Sequence, residues 1–342
     1  MTLLSDPDAF VKKYNPRLVL YPEIRVGETR EQSKNPKYPD EAPRHYDYHP
    51  RDIRIVLANC SFHARIRLWG NGKSSWQQML DRMEGKRYRR DLDLLPGVQS
   101  DDRASFWDEY AAIIHSGDED YKHACYARVV PGSGVNEDRL LVQYWYAYFY
   151  NDFWNAHEMD WETVMIVFKT TDEEPIPIVC ACSAHFKGYW LPWSQVEKAD
   201  GGDQPIIYVA HGSHANYFYG PHKYVTIPDV VNNVARHFNR ESRGLGDFTT
   251  SKEDGSTPAI EVTLIHDQKE GPWEGDLRWL NQEGLWGSPG EWDLEFGDSG
   301  PNGPPKGGDR WDRPFRWINN TCTRSPSPEE LRVPTRLEPG AR

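Results

Sequence analysis

NDFWNAHEMDWETVMIVF, residues 151–168, decides how this chain is read. Its second half is an apolar run of strand length, rich in β-branched and aromatic residues. Its first half sets His157, Asp160 and Glu162 among tryptophans. Residues two apart in an extended strand share a face, which puts Asp160 and Glu162 on one side, about 7 Å apart along the strand. Buried charge is costly unless it is paired, hydrogen-bonded or bound to metal. The stretch therefore predicts a strand that enters a core through a charged mouth, where some group compensates the carboxylates.

Working outward, further strand-length segments fall at 17–21, 53–69, 123–130, 139–150, 176–185, 205–211 and 259–265, bounded by Gly, Pro, Asn or Asp. Helical periodicity is clear only at 74–84, 103–116 and 229–241. Strands do not alternate regularly with helices, so a doubly wound parallel sheet is not expected. The expectation is a mainly β (α+β) fold with a β-sandwich core and a few peripheral helices. After about residue 271 the chain becomes dense in Gly, Pro and Trp, which predicts a long wrap pinned to the sandwich by tryptophans. One domain over 1–322, with helical insertions near 74–116 and 229–241, and a loose tail over 323–342 complete the expected organisation.

Composition narrows the function. A net charge of -12 without a basic stripe argues against nucleic acid as a partner. No apolar run approaches the roughly 18 residues that span a bilayer, so stable membrane insertion is not expected. Asp6 and Asp8 interrupt the start of the chain where a signal peptide is most apolar, which predicts a cytoplasmic location. The five cysteines form an odd set without zinc-type spacing. No G-x-S-x-G elbow or phosphate-cradling glycine loop occurs, which argues against the common serine-hydrolase and nucleotide-dependent classes. Two stretches approach the acidic motifs of terpene cyclases, but neither has the third acidic residue. The sequence does not set an oligomeric state.

The charged mouth carries the chemistry. A turn before the strand can bring His157 over the point shared by Asp160 and Glu162, and Asp152 can close the site from the other arm of the hairpin. Asp152, His157, Asp160 and Glu162 are thus candidate ligands of a divalent metal ion. Oxygen-rich sets favour Mg²⁺, Ca²⁺ or Mn²⁺, and an imidazole brings Zn²⁺ or Fe²⁺ into range. His185, His211 and His214 end or follow predicted strands, where side chains can converge on one rim. Taken singly, each histidine among aromatics is an ordinary core residue; their grouping at strand ends makes them candidate proton-transfer groups.

These residues also carry a resemblance. HEMDWETV resembles the H-x-x-D-W-E region of the necrosis- and ethylene-inducing cytolysins, and YFYND before it resembles their aromatic strand with its metal-binding Asp. YNPRLVLYPEI, the DWE strand, YVAHGSHANY and GLWGSPG…GPNGPP…W occur in the order found in the vacuolar protein sorting-associated protein 62 family, and span residues 14–311. The resemblance implies a β-sandwich, and implicates Asp152, His157, Asp160 and Glu162 in metal binding with His185 nearby. Fold and family do not fix activity.

Two functions fit. One is a metal-dependent enzyme acting on a small, largely apolar molecule by cyclisation, isomerisation, dehydration or hydrolysis. The other is a non-catalytic module whose metal holds a glycan or lipid headgroup. The cytoplasmic expectation also predicts reduced cysteines. Alkylation of the unfolded chain without reductant should modify all five; a protected Cys180–Cys182 or Cys60–Cys125 pair in the mass spectrum would contradict this.

Overall fold

A computed structural model describes residues 4–23, 46–65, 89–98, 102–116, 121–153, 156–224, 247–266, 272–288 and 300–331. In chain order the strands are β1 (Arg17–Val19), β2 (Cys60–Arg65), β3 (Arg89–Leu94), β4 (Ala124–Pro131), β5 (Arg139–Asn151), β6 (His157–Lys169) and β7 (Ile176–Ala184). They continue as β8 (Lys187–Pro192), β9 (Ile206–Val209), β10 (Asn216–Tyr217), β11 (Lys223–Tyr224), β12 (Asp247–Phe248), β13 (Glu261–Ile265) and β14 (Cys322–Arg324). The α-helices are α1 (Pro7–Lys13), α2 (Arg54–Ala58), α3 (Arg103–His115), α4 (Asp309–Asp312) and α5 (Pro314–Thr321).

Seven strands form the main sheet in the order β13-β4-β5-β6-β7-β8-β14. Its interior is antiparallel, while β13 and β14 join the edges in parallel. At the centre, β5 and β6 pair from Arg139↔Lys169 to Asn151↔His157. Nearly every position of both strands is buried. That explains why they read as continuous apolar and aromatic runs: a strand covered on both faces has no solvent side to mark with polar residues.

Alternation sorts the side chains onto the two faces. Tyr144, Tyr146 and Tyr148 of β5 and Val164, Ile166 and Phe168 of β6 share a core with Leu18, Ile207, Val209 and Tyr217. Those last four belong to a second, three-stranded sheet, β1-β9-β10, so this face is sheet on sheet. On the other face Trp145, Ala147, Phe149 and Trp161 pack with Phe106, Trp107 and Tyr110 of α3 and with Trp279, Trp286 and Trp311. The fold is therefore mainly β, with α3 on this face and α1 packed on the other, an α+β arrangement.

The helix expected at 103–116 forms, capped by Asp102, whose carboxylate accepts the Ser105 N–H at 3.2 Å. The segment 53–69 was expected to be one strand. Its first part is instead α2, because Ile53 N–H donates to the Tyr126 hydroxyl (2.9 Å) and Asp52 accepts Arg54 N–H (2.9 Å), starting a turn that buries Ile55 and Val56. Tertiary contacts here override the β-branched preference for strand. The helices expected at 74–84 and 229–241 lie outside the described residues, as do 332–342 of the expected tail.

Strand β8 is not signalled by its sequence, since KGYWLP contains Gly and Pro. Gly188 is required there: a Cβ would stand 2.6 Å from both Cys322 Sγ and the Trp317 ring, where β14 and α5 close over the sheet. In the late Trp-rich region, Trp286 N–H donates to Pro301 O (2.8 Å), and a Cβ on Gly303 would meet the Trp286 ring nitrogen at 2.2 Å. Gly287 has φ +129°, and a Cβ there would meet Glu158 O at 2.7 Å. Glu158 itself accepts from Ser288 N–H (2.8 Å) and Leu94 N–H (2.7 Å), so the loop is stitched to the start of β6. Gly287→Ala should destabilise the protein by about 1–3 kcal/mol through strain and overpacking. Urea unfolding measures this; an unchanged midpoint would contradict the packing described.

Burial pushes the Glu158 carboxyl up to about 7. A raised carboxyl pKa contributes stability fully below the unfolded value and loses it as pH rises through the folded one. The stability of the wild type relative to Glu158→Gln should thus fall by no more than about 3 kcal/mol between about pH 4.5 and about pH 7. Paired denaturation curves across that range test it, and a flat difference would contradict it.

Candidate functional site

The first turn of β6 is where the alternation breaks. Met159 has φ 54°, a left-handed conformation rare for a side chain of its size. Glu158 consequently turns towards β3 and Ser288, although it is two residues from Asp160. Beyond the irregularity the register is regular, with Tyr148 opposite Asp160 and Tyr146 opposite Glu162. Both carboxylates are therefore on the sheet-on-sheet face, 8% and 4% exposed.

Asp160 Oδ2 accepts from Asn151 Nδ2 (2.9 Å) and from His214 Nδ1 (3.2 Å), and Oδ1 accepts Trp161 N–H (2.8 Å). Burial works to raise its pKa, but the His214 hydrogen bond and the charges of His214 and His157 outweigh burial and hold it below the usual range. Glu162 has less help. The Arg310 and His185 charges and the Ser183 hydroxyl favour its ionised form, but burial together with the Asp160 charge outweighs them and pushes its carboxyl up to about 8. Two neighbouring buried acids thus titrate apart, as like charges in one low-dielectric site must.

Histidines surround the pair. His214 follows the Gly212 turn, takes φ 57° and stacks on Tyr148 with ring centroids 4.0 Å apart and an interplanar angle of 11°. Its Nε2 is buried, and among the described residues no group hydrogen-bonds it. His185 occupies the two-residue turn between β7 and β8 with φ 56°. Its Nε2 meets Asp247 Oδ2 at 2.7 Å, and Asp247 also accepts from the Ser213 hydroxyl (2.5 Å) and from Tyr217. Burial would lower the His185 pKa, but the charges of Asp247, Glu162 and Asp160 prevail and raise it. His157 places Nδ1 3.2 Å from Glu158 O and lies within electrostatic reach of Asp160.

Asp160, Glu162, His157, His185 and His214 are thus brought into one electrostatic cluster. Asp152 and His211 are engaged elsewhere. The Asp152 carboxylate takes Arg103 Nη1 at 2.7 Å and Tyr46 N–H at 2.6 Å, tying the β5 exit to α3. His211 Nδ1 stands 2.6 Å from Asp47 Oδ2, with its ring 4.4 Å from Tyr21. Ser183 and Asp247 were not anticipated. Ser183 shares a strand face with Val179 and Ala181, so the alternation that marked His185 also marked it; Asp247 carries no sequence signal.

A cation suits Asp160 and Glu162 on this structure's own terms. Two adjacent buried carboxylates leave one acid far from its ordinary pKa, a penalty that a bound cation would relieve. Among the described residues, however, only Glu23, His49 and His123 place three candidate ligand atoms within 4.8 Å of one another, and these could hold a metal ion. Among the described residues, no helix is long and apolar enough to cross a membrane.

No protein-family model and no curated relative matches the chain. Two solved NLP (necrosis- and ethylene-inducing) proteins show a weak likeness. The non-toxic HaNLP3 protein is 17% identical with a TM-score of 0.29, over 53% of this chain and 62% of that one. NLPPya, solved in complex with glucosamine, is 15% identical with a TM-score of 0.24, over 41% of this chain and 50% of that one. The likeness spans less than two thirds of either protein and carries no functional argument. The sorting-family resemblance finds no support in these comparisons.

The Asp247 carboxylate raises the His185 pKa, so Asp247→Asn should lower it. Imidazole NMR titration reads this directly; an unmoved His185 would show that Asp247 does not govern it.

Proposed function

We propose that the chain is a metal-dependent enzyme acting on a small, largely apolar molecule at the Asp160–Glu162 cluster. The observation that carries this reading is the buried carboxylate pair of β6, set among His157, His185 and His214 with no lysine or arginine hydrogen-bonded to either acid among the described residues. Asp160, Glu162 and His157 would hold a divalent ion, while Asp152 keeps its carboxylate on Arg103 and Tyr46 N–H. When bound, such an ion supplies Lewis-acid polarisation of a substrate oxygen.

The chain's own residues perform the rest. His214 is oriented by Asp160 through Nδ1 and leaves Nε2 available to take or give a proton. His185 is held by Asp247 in a form that favours its proton, which suits it to donate. The Phe153 ring, 5.5 Å from His185, and the Tyr148 ring supply an apolar wall that excludes water. Cyclisation, isomerisation, dehydration and hydrolysis all use this combination of polarised oxygen and moving proton.

A second reading, a module that binds a headgroup without chemistry, is favoured by one fact: His185, His211 and His214 each face an aspartate at hydrogen-bonding distance. Such pairing can orient a catalytic imidazole or simply fix a loop. Elemental analysis of wild type, Asp160→Asn and Glu162→Gln tests the metal, with at least about tenfold loss of affinity expected in both variants. Untargeted mass spectrometry of a small-molecule extract incubated with the metal-loaded protein then tests catalysis. The wild type should convert a component of the extract, and His214→Gln should keep its metal while slowing conversion by about a hundredfold or more. Metal retention without any conversion would favour the binding module.

A further inference from the structure

Away from the Asp160–Glu162 cluster, Glu23, His49 and His123 form a compact group of a different chemistry. We propose that these three residues are a second metal site, a two-imidazole, one-carboxylate set for a zinc-class divalent transition ion. The inference is independent of the proposed function.

The spacing is that of ligands around one ion. His49 Nδ1 lies 3.1 Å from His123 Nε2 and 3.8 Å from Glu23 Oε1, and all three donor atoms fall within 4.8 Å of one another. Ligand atoms at ~2.0–2.2 Å from a common metal stand about 3.0–3.4 Å apart in octahedral or tetrahedral geometry. The two imidazole nitrogens already stand at ligand separation, His49 and Glu23 are a few tenths of an ångström beyond it, and Glu23 and His123, both partly exposed, have room to move inward.

Outer contacts orient the donors as metal sites require. His49 Nε2 is 2.8 Å from Tyr21 O, so this nitrogen carries the proton and Nδ1 is left as a bare donor facing the group. Arg51 donates to Glu23 Oε2 at 2.6 Å, which turns Oε1 towards the imidazoles, and the Tyr110 hydroxyl fixes that oxygen at 2.5 Å. The backbone fixes the register of the histidines: Arg51 bridges to His123, and Ala124 N–H donates to Pro50 O at 3.4 Å.

The donor set also selects the ion. Arg51 already offsets the single carboxylate, so Mg²⁺ and Ca²⁺, which depend on several charged oxygens, gain little here. Zn²⁺, or another first-row ion with affinity for imidazole, forms two nitrogen bonds that survive a neighbouring guanidinium. The partial exposure of Glu23 and His123 leaves the ion reachable by water, so three protein ligands and a solvent ligand complete a tetrahedron.

The test uses the full chain, stripped with EDTA and titrated with Co²⁺ and Zn²⁺, alongside His123→Gln, Glu23→Gln and Asp160→Asn. Circular dichroism checks that each variant is folded. Glu23→Gln is isosteric and sits on a loop, so it serves if His123→Gln does not fold. Wild type and Asp160→Asn should both show the visible ligand-field bands of tightly bound Co²⁺, displaced by Zn²⁺ and not by a large excess of Mg²⁺ or Ca²⁺. The folded His123→Gln and Glu23→Gln chains should bind at least about a hundredfold more weakly, beyond the loss typical of outer-shell changes. Absence of the bands in wild type, or full-strength binding in either ligand variant, would overturn the site. Binding lost only in Asp160→Asn would overturn it equally, by assigning the ion to the other cluster.

Discussion

Like charge in a buried space is the constraint to which the centre of this protein answers. Asp160 and Glu162 occupy one face of β6 between two sheets, where each ionised carboxylate lacks water and feels the other. The local structure resolves this unevenly. Asp160 receives three hydrogen bonds and two nearby imidazoles, and remains an anion. Glu162 receives one hydroxyl and is driven up to about 8. A packed hydrophobic pair at these positions would fill the same volume at no electrostatic cost, so retaining two acids is best explained by a ligand that needs them.

The loops around the pair are built to the same constraint. Each of three histidines at a strand exit meets an aspartate: His185 with Asp247, His211 with Asp47, His214 with Asp160. These contacts join segments far apart in sequence, so they fix the rim while they orient the imidazoles. His185 and His214 both take left-handed backbone angles, which are uncommon for a residue with a side chain. Strain of this kind is tolerated where surrounding contacts over-determine the loop.

Most of the sheet was legible in the sequence because β5 and β6 are buried on both faces and carry long aromatic and β-branched runs. The shared face of Asp160 and Glu162 followed from strand geometry alone, and His185 at the end of β7 followed from the same alternation. What was not legible depends on contacts made by other parts of the chain. Residues 54–58 form a helix because Tyr126 and Asp52 start one. Strand β8 hides behind Gly188, whose missing side chain makes room for Cys322 and Trp317. Asp152 follows an aromatic strand as a ligand would, yet Arg103, 49 residues earlier, takes its carboxylate. The group of Glu23, His49 and His123 was invisible for a like reason, since it is assembled from three segments that share no motif.

The central claim is that Asp160 and Glu162 form a strained acid pair that a bound cation relieves. Carboxyl-carbon NMR of selectively labelled protein tests it most directly, by titrating Glu162 in the metal-free chain and again with a divalent ion added. The account predicts a midpoint at about 8 without metal. With the ion bound, Glu162 should be ionised well below that pH. A Glu162 carboxyl that titrates in the ordinary range near 4.3 without metal, or one that ignores every divalent ion offered, would contradict it.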